Sequence, residues 1–416
     1  MKICLITSFP PSKERLNEYG LHIARELQRD PFLSVTVLAD ELSTPQPELP
    51  EFDVVRCWKF CSLSTPWRLL KTVREIKPDV VWFNVVFSTF GDRPVPAFFG
   101  LCIPMLLRMC GYYTHVTLHH LIEILDLSAA GIRFPRLYQA AGSIATRILL
   151  MANSISVLLP GYRRTLIEKY RGNNVHLRAH GVLSASPQYP DFSQRGNPEH
   201  RILAFGKWGT YKRVEILIEA FARVAEKVPN AKLVIAGSNH PIASGYLESL
   251  AERFRGSSRI EFIGYIPEEQ LSEVFQRSTV MVMPYSSAGG PSGVAHNACQ
   301  FGVPIICADI PDFRDMAEDE DIAIDFYENG DSDSLAERLL ALLQDPQRQR
   351  AMAEENFSAA LRITMPQIVR KYLRSFNLDQ KTKALEPISR FRRIPAWVPS
   401  RSAIFRAAVP RWLSWM

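Results

Sequence analysis

No Gly-x-Gly-x-x-Gly follows a β-type run in this sequence, and no Gly-x-x-x-x-Gly-Lys-Ser/Thr occurs. The first absence leaves a dinucleotide oxidoreductase without its phosphate turn; the second removes the P-loop kinases and ATPases. "GGPSG" (289–293) does not satisfy the Gly-x-Ser-x-Gly nucleophile elbow. The seven cysteines are odd in number and scattered, which suits a reduced protein rather than a disulfide scaffold. Cys57 and Cys61 have no second Cys/His pair near in sequence, so they do not read as a metal site. The longest apolar stretch, Val95–Leu107, falls well short of the roughly 20 residues that cross a bilayer. "MKICLITSFPP" has one lysine and few apolar residues before two prolines, and reads as a buried strand rather than a signal peptide. A last absence is local. From Ser278 to Ala308 there is no aspartate, glutamate, lysine or arginine.

With 47% apolar and 22% charged residues, the 416-residue chain can bury more than one core. The net charge of +6 is uneven, because eight basic residues and one acid lie from Lys381 onward. The body is close to neutral and the tail is basic.

Short β-branched runs alternate with helical patterns along the first half: "KICLIT", "SVTVLA", "FDVVRCW", "DVVWFNVV", "THVTLHH" and "SISVLLP". Such runs signal parallel sheets covered on both faces. The pattern breaks into Pro, Ser, Gly and Asn between Ser184 and His200, a linker signal. It restarts with "RILAFG", "KLVIAG", "RIEFIGY", "VMVMPY" and "PIICAD". We therefore expect two doubly wound α/β, Rossmann-like domains, residues 1–183 and 200–376, joined by a linker at 184–199. A cleft is expected at the carboxyl ends of their strands, and residues 377–416 form a basic aromatic tail. Helices are expected over 95–110 and 213–227, and a capping box of Ser334 and Glu337 should open "LAERLLALL".

In "RILAFGKWGTYKR", Lys207 follows a strand and Lys212 stands at the start of a helix; two ammonium groups there suit a diphosphate, although a solvated basic loop has the same look. His115, His119 and His120 have helix-type metal spacing, but "YTHVTLHH" alternates like a strand, so His119 and His120 should face the cleft instead. The Asp-x-Asp pairs at 319/321 and 331/333 read as solvated loop acids.

Together, "ILAFGKWGTYKRVEILIEAFARV", "AKLVIAGS", "IEFIGYIPEEQLSEVFQRSTVMVMPYSS" and "ACQFGVPIICADIPDFRD" resemble the family-4-type (group 1) glycosyltransferases of the GT-B fold. "SFPPSKERLNEYGLHIARELQ" and "VTLHH" are similar to that family's first loop and acceptor-domain histidine segment. The resemblance implies retaining transfer from a nucleotide-sugar to a glycan or lipid-linked acceptor, without an essential metal or cofactor. It implies that Lys207 and Lys212, beside Gly206, hold the donor diphosphate, and that His119 touches the transferred sugar. Ser238 and the segment at Tyr265 and Ile266, whose backbone reads the nucleobase, would complete the donor site.

The sequence departs from the family at two glutamates spaced Glu-x7-Glu. Gly289 and Asn297 stand in their places, and Arg15 stands where many members have glycine. Asn297 can still bond a ribose, and Gly289, Gly290, Ser292 and Gly293 could bring backbone N–H groups to an anion. Alternatives left open are a catalytically degenerate GT-B binding protein and a sugar-nucleotide epimerase of similar fold. Nucleic acid is not an expected partner, since the tail lacks any recognisable module. Residues 390–416 interleave six arginines with five aromatic residues and no acid, which suits the headgroups of an anionic membrane's cytoplasmic face; the alternative is a tail packed back on the body through its tryptophans. We thus expect a cytoplasmic protein, peripheral on that membrane.

Overall fold

The structure, a computed structural model, describes residues 1–42, 44, 46–47, 49–124, 135–192 and 199–392, with 383–392 and Pro241 described by backbone alone. Two compact units divide the chain, Met1–Val369 and Arg370–Met416. The first unit contains two wholly parallel sheets.

The first sheet's elements run β1 (Lys2–Ile6), α1 (Asn17–Gln28), β2 (Ser34–Asp40), β3 (Val54–Trp58), α2 (Thr65–Ile76) and β4 (Val80–Val85). They continue through α3 (Pro94–Leu101), α4 (Ile103–Met109), β5 (Thr114–Leu118), α5 (Pro135–Leu149), β6 (Ser154–Val157), α6 (Pro160–Glu168) and β7 (Val175–Leu177). Its strand order is β3-β2-β1-β4-β5-β6-β7. Every residue of β4 and β5 is buried, as β-branched runs covered on both faces should be. The expected apolar helix over 95–110 is split in two at Cys102, because Pro104 cannot continue the hydrogen-bond ladder of α3.

The second sheet is built from β8 (Arg201–Trp208), α7 (Glu215–Lys227), β9 (Lys232–Asn239), α8 (Tyr246–Arg253), β10 (Ile260–Gly264), α9 (Glu268–Gln276) and β11 (Val280–Met283). Then come α10 (Gly293–Gln300), β12 (Ile305–Ala308), α11 (Pro311–Glu320) and β13 (Ile324–Tyr327). Its order is β10-β9-β8-β11-β12-β13. Helices α12 (Ser332–Leu343), α13 (Pro346–Arg362) and α14 (Met365–Arg392) follow. The capping box gives way to a simpler cap. The Asp331 carboxylate accepts from the N–H groups of Asp333 and Ser334, while the Ser334 hydroxyl accepts from the Glu328 N–H.

Both strand orders reverse once, between β1 and β4 and between β8 and β11. At such a switch point the flanking loops part and leave a crevice at the strands' carboxyl ends. Arg15 and Ser88 lie on the two loops of the first crevice, and Lys212 and the charge-free segment after Met283 lie on those of the second. Helix α14 runs through residue 387 to Arg392; the tail beyond it, 393–416, lies outside the described residues. No described helix is long and apolar enough to cross a membrane.

Candidate functional site

At the second switch point, the loops after β8 and β11 are tied by an isolated bridge between Lys212 and Tyr285 and by the Ser286 N–H on the Tyr211 carbonyl. Lys207 lies inside β8 and not beyond it, and Lys212 precedes α7 by a turn, so both expected positions shift slightly. Lys207 is exposed and pairs in register with the half-buried Ser238 of β9; Gly206 pairs with Gly237. The Lys212 ammonium sits 4.5 Å over the buried Tyr285 ring. Burial, and then the charge of Lys207, push Lys212 down to about 8. Neither lysine forms an ion pair among the described residues. Two neighbouring cations without a counter-charge are costly unless an anion arrives.

The charge-free segment opens α10, and a structural reason for its composition lies at Gly290. Its φ is +121°, and a Cβ there would stand 2.7 Å from the His119 carbonyl oxygen and 3.1 Å from the His120 ring. Glycine is required where the two sheets' loops approach this closely. The Gly290 N–H already donates to the Asp312 carboxylate at 3.1 Å. Its expected role as an anion donor is corrected accordingly. Ser292 is the buried N-cap of α10, its hydroxyl accepting from the Ala295 N–H and contacting the Met283 sulfur. Gly289 is half-buried and Gly293 exposed, with His180 Cε1 3.9 Å from the Cβ position of Gly293. Asn297 is half-buried, and its side chain bonds to nothing among the described residues. Ile266 is buried in the core while Tyr265 is 73% exposed, so backbone alone could serve at 266.

His119 is buried just past β5, its Nε2 2.7 Å from Asn84 Oδ1, and the Asn84 amide donates to the Thr7 hydroxyl. Burial, then the nearby His180 and His120, hold His119 well below the usual imidazole range, so it is neutral. His115 lies within β5 and hydrogen-bonds Ser154 at 2.7 Å. The described residues contain no cluster of three or more metal-ligating side chains.

Sequence reasoning missed several residues that join the two sheets. His180 stacks on His296 at 4.8 Å, and His296 Nε2 lies 2.6 Å from Glu320 in a fully buried pair. Tyr162 of α6 donates to Asp312 of α11 at 2.9 Å, and the Gly161 N–H donates to Asp315 at 2.6 Å. Asn84 is the one signal available beforehand, as a lone polar residue in "VVWFNVV".

The second sheet's region resolves the class of the domain: residues 187–358 match the family model of the Glycosyl transferases group 1. The chain carries a group 1 glycosyltransferase domain. Two curated relatives show likeness over part of the chain. An uncharacterized glycosyltransferase of Methanocaldococcus jannaschii is 31% identical over 29% of this chain and 30% of its own. A phosphatidyl-myo-inositol mannosyltransferase of Propionibacterium freudenreichii is 24% identical over 48% of this chain and 49% of its own. The chain thus spans about half or less of either relative. Sucrose-phosphate synthase from Thermosynechococcus elongatus shares the fold, with a TM-score of 0.70 at 16% identity over 91% of this chain and 98% of that one. The group 1 glycosyltransferase domain and the sheet preceding it thus adopt the GT-B fold, two parallel-sheet, Rossmann-like layers.

Proposed function

We propose that this protein transfers a sugar from a nucleotide-sugar to a glycan or lipid-linked acceptor, with retention of configuration. The observation that supports it most is the pair of unneutralised ammonium groups, Lys207 and Lys212, at the switch point of a group 1 glycosyltransferase domain. In this reading the donor diphosphate lies against both lysines, and Asn297 bonds the ribose. Gly206, Ser238 and the backbone at Tyr265 and Ile266 border the nucleoside, while Gly289 and Gly293 approach the donor through their backbones.

As the glycosidic bond to the leaving phosphate breaks, charge grows on its oxygen, and the two cations stabilise that charge more than the ground state. The leaving phosphate oxygen accepts the acceptor's hydroxyl proton on the same face, so no protein nucleophile is assigned and configuration is kept. The lysines, and not a metal ion or cofactor, are proposed to meet the charge. His119, neutral and held by Asn84, is in this reading the residue that hydrogen-bonds the sugar. The expected role for residues 390–416, outside the described residues except for the backbone to 392, is reversible attachment to an anionic cytoplasmic membrane surface.

Titration calorimetry with UDP, GDP, ADP and TDP tests the reading directly. One diphosphate should bind, and Lys207→Ala should weaken it by about tenfold or more. If none binds to the wild type, the nucleotide-sugar reading fails.

A further inference from the structure

The crevice holds more positive charge than a diphosphate uses. Arg15, Lys207 and Lys212 all bear electrostatically on His240, and Arg15 bears on His120 and Tyr211 as well. A nucleotide-sugar diphosphate carries two charges, which Lys207 and Lys212 match. Arg15 is left over. It stands at the other switch point, where its guanidinium donates to the Ser88 hydroxyl at 2.6 Å and so bonds the loop after β1 to the loop after β4. It is exposed and forms no ion pair among the described residues. One bond to a hydroxyl leaves most of its five N–H donors unused.

The facing wall supplies no compensation. Ser278–Ala308 has no carboxylate, and Asp312, which reaches that segment, is occupied by Tyr162 and Gly290. Closing such a site over a neutral sugar would strand the guanidinium without a partner, whereas a carboxylate would meet its planar fork in two parallel hydrogen bonds. Position favours the transferred sugar over the nucleoside. Arg15 acts on His120, the neighbour of His119, and on Tyr211, the neighbour of Lys212.

We propose that Arg15, bonded to Ser88 across the first switch point, forms a subsite for a carboxylate on the transferred sugar, so that the donor is the nucleoside diphosphate of a sugar acid of the hexuronate class. This rests on the nucleotide-sugar reading above and names its donor class.

The test compares, for the base that binds in calorimetry, the nucleoside diphosphate, its neutral hexose and the corresponding hexuronate. Wild type should bind the hexuronate at least about tenfold more tightly than the hexose. Arg15→Gln should erase that difference while changing diphosphate affinity less than about twofold, and Arg15→Lys should restore part of it. Equal affinity of wild type for the two sugars overturns the proposal and leaves the nucleotide-sugar reading standing. So does an equal loss of all three ligands in Arg15→Gln, which would assign Arg15 to the diphosphate. If no diphosphate binds, both readings fall.

Discussion

The Tyr162 hydroxyl donates to the Asp312 carboxylate at 2.9 Å, joining α6 behind the first sheet to α11 behind the second. The same carboxylate receives the Gly290 N–H, so one buried acid fixes a helix of one layer and the site-facing loop of the other. Burial raises the Asp312 pKa, and the two donors oppose that rise.

Removing one donor to a buried acid leaves it underpaired. Tyr162→Phe should therefore destabilise the protein by about 1.5–3 kcal/mol, and Asp312→Asn by at least as much. Urea unfolding measures both. A loss under about 0.5 kcal/mol for Tyr162→Phe would mean that the bond has no energetic weight.

The two-sheet plan was legible because the strands are short and β-branched and the central ones are buried on both faces, as "DVVWFNVV" and "PIICAD" show. Lys207 and Lys212 were legible from the turn between a strand and a helix, and the structure moves Lys207 into β8 and leaves Lys212 a turn before α7. The contacts between layers were not legible. Tyr162 and Asp312 lie 150 positions apart, and nothing in the local pattern of either says that a hydroxyl will meet a carboxylate. The Gly289–Gly293 segment was half-read. Its poverty in side chains was plain, but Gly290 serves a close approach to His120, 170 positions away, while Ser292 caps its own helix.

Lys212 should couple donor binding to protons. Free, it titrates near 8; beside a diphosphate its charged form is favoured and its pKa rises. Affinity should therefore be flat below about pH 7 and fall as pH rises through 8. At pH 8, calorimetry in buffers of different ionisation heat should show net proton uptake on binding. Lys212→Gln should abolish that uptake, and its persistence there would move the titrating group elsewhere.

His119 is neutral and already held by Asn84 on one nitrogen, so its role toward a sugar is orientation and not charge. His119→Ala should lower kcat about tenfold or more while changing diphosphate affinity little. Asn84→Ala, which frees the ring without removing it, should produce a smaller loss of the same kind. Full turnover in His119→Ala would leave the residue a purely structural member of the β5 terminus.

Stability should depend on pH in opposite directions at two places in this junction. Burial, followed by the charges of Arg15 and Lys212, pushes His120 down to about 4, and His180 is pushed down to about 3. The unfolded chain, with histidines near 6.5, binds these protons first, so stability is lost as pH falls below about 6.5 and continues to fall towards 4. For His120 alone the loss is at most about 3 kcal/mol. His296 has the other sign. Its burial disfavours the charge, but the buried Glu320 carboxylate overrides that and raises its pKa. The contribution of this pair is complete below about 6.5 and disappears as pH rises through the raised value. His120→Gln should therefore flatten the acid limb of a urea-stability profile, while Glu320→Gln should destabilise more at pH 6 than at pH 9. An unchanged acid slope in the first variant, or a pH-independent penalty in the second, would show that these histidines do not titrate with folding.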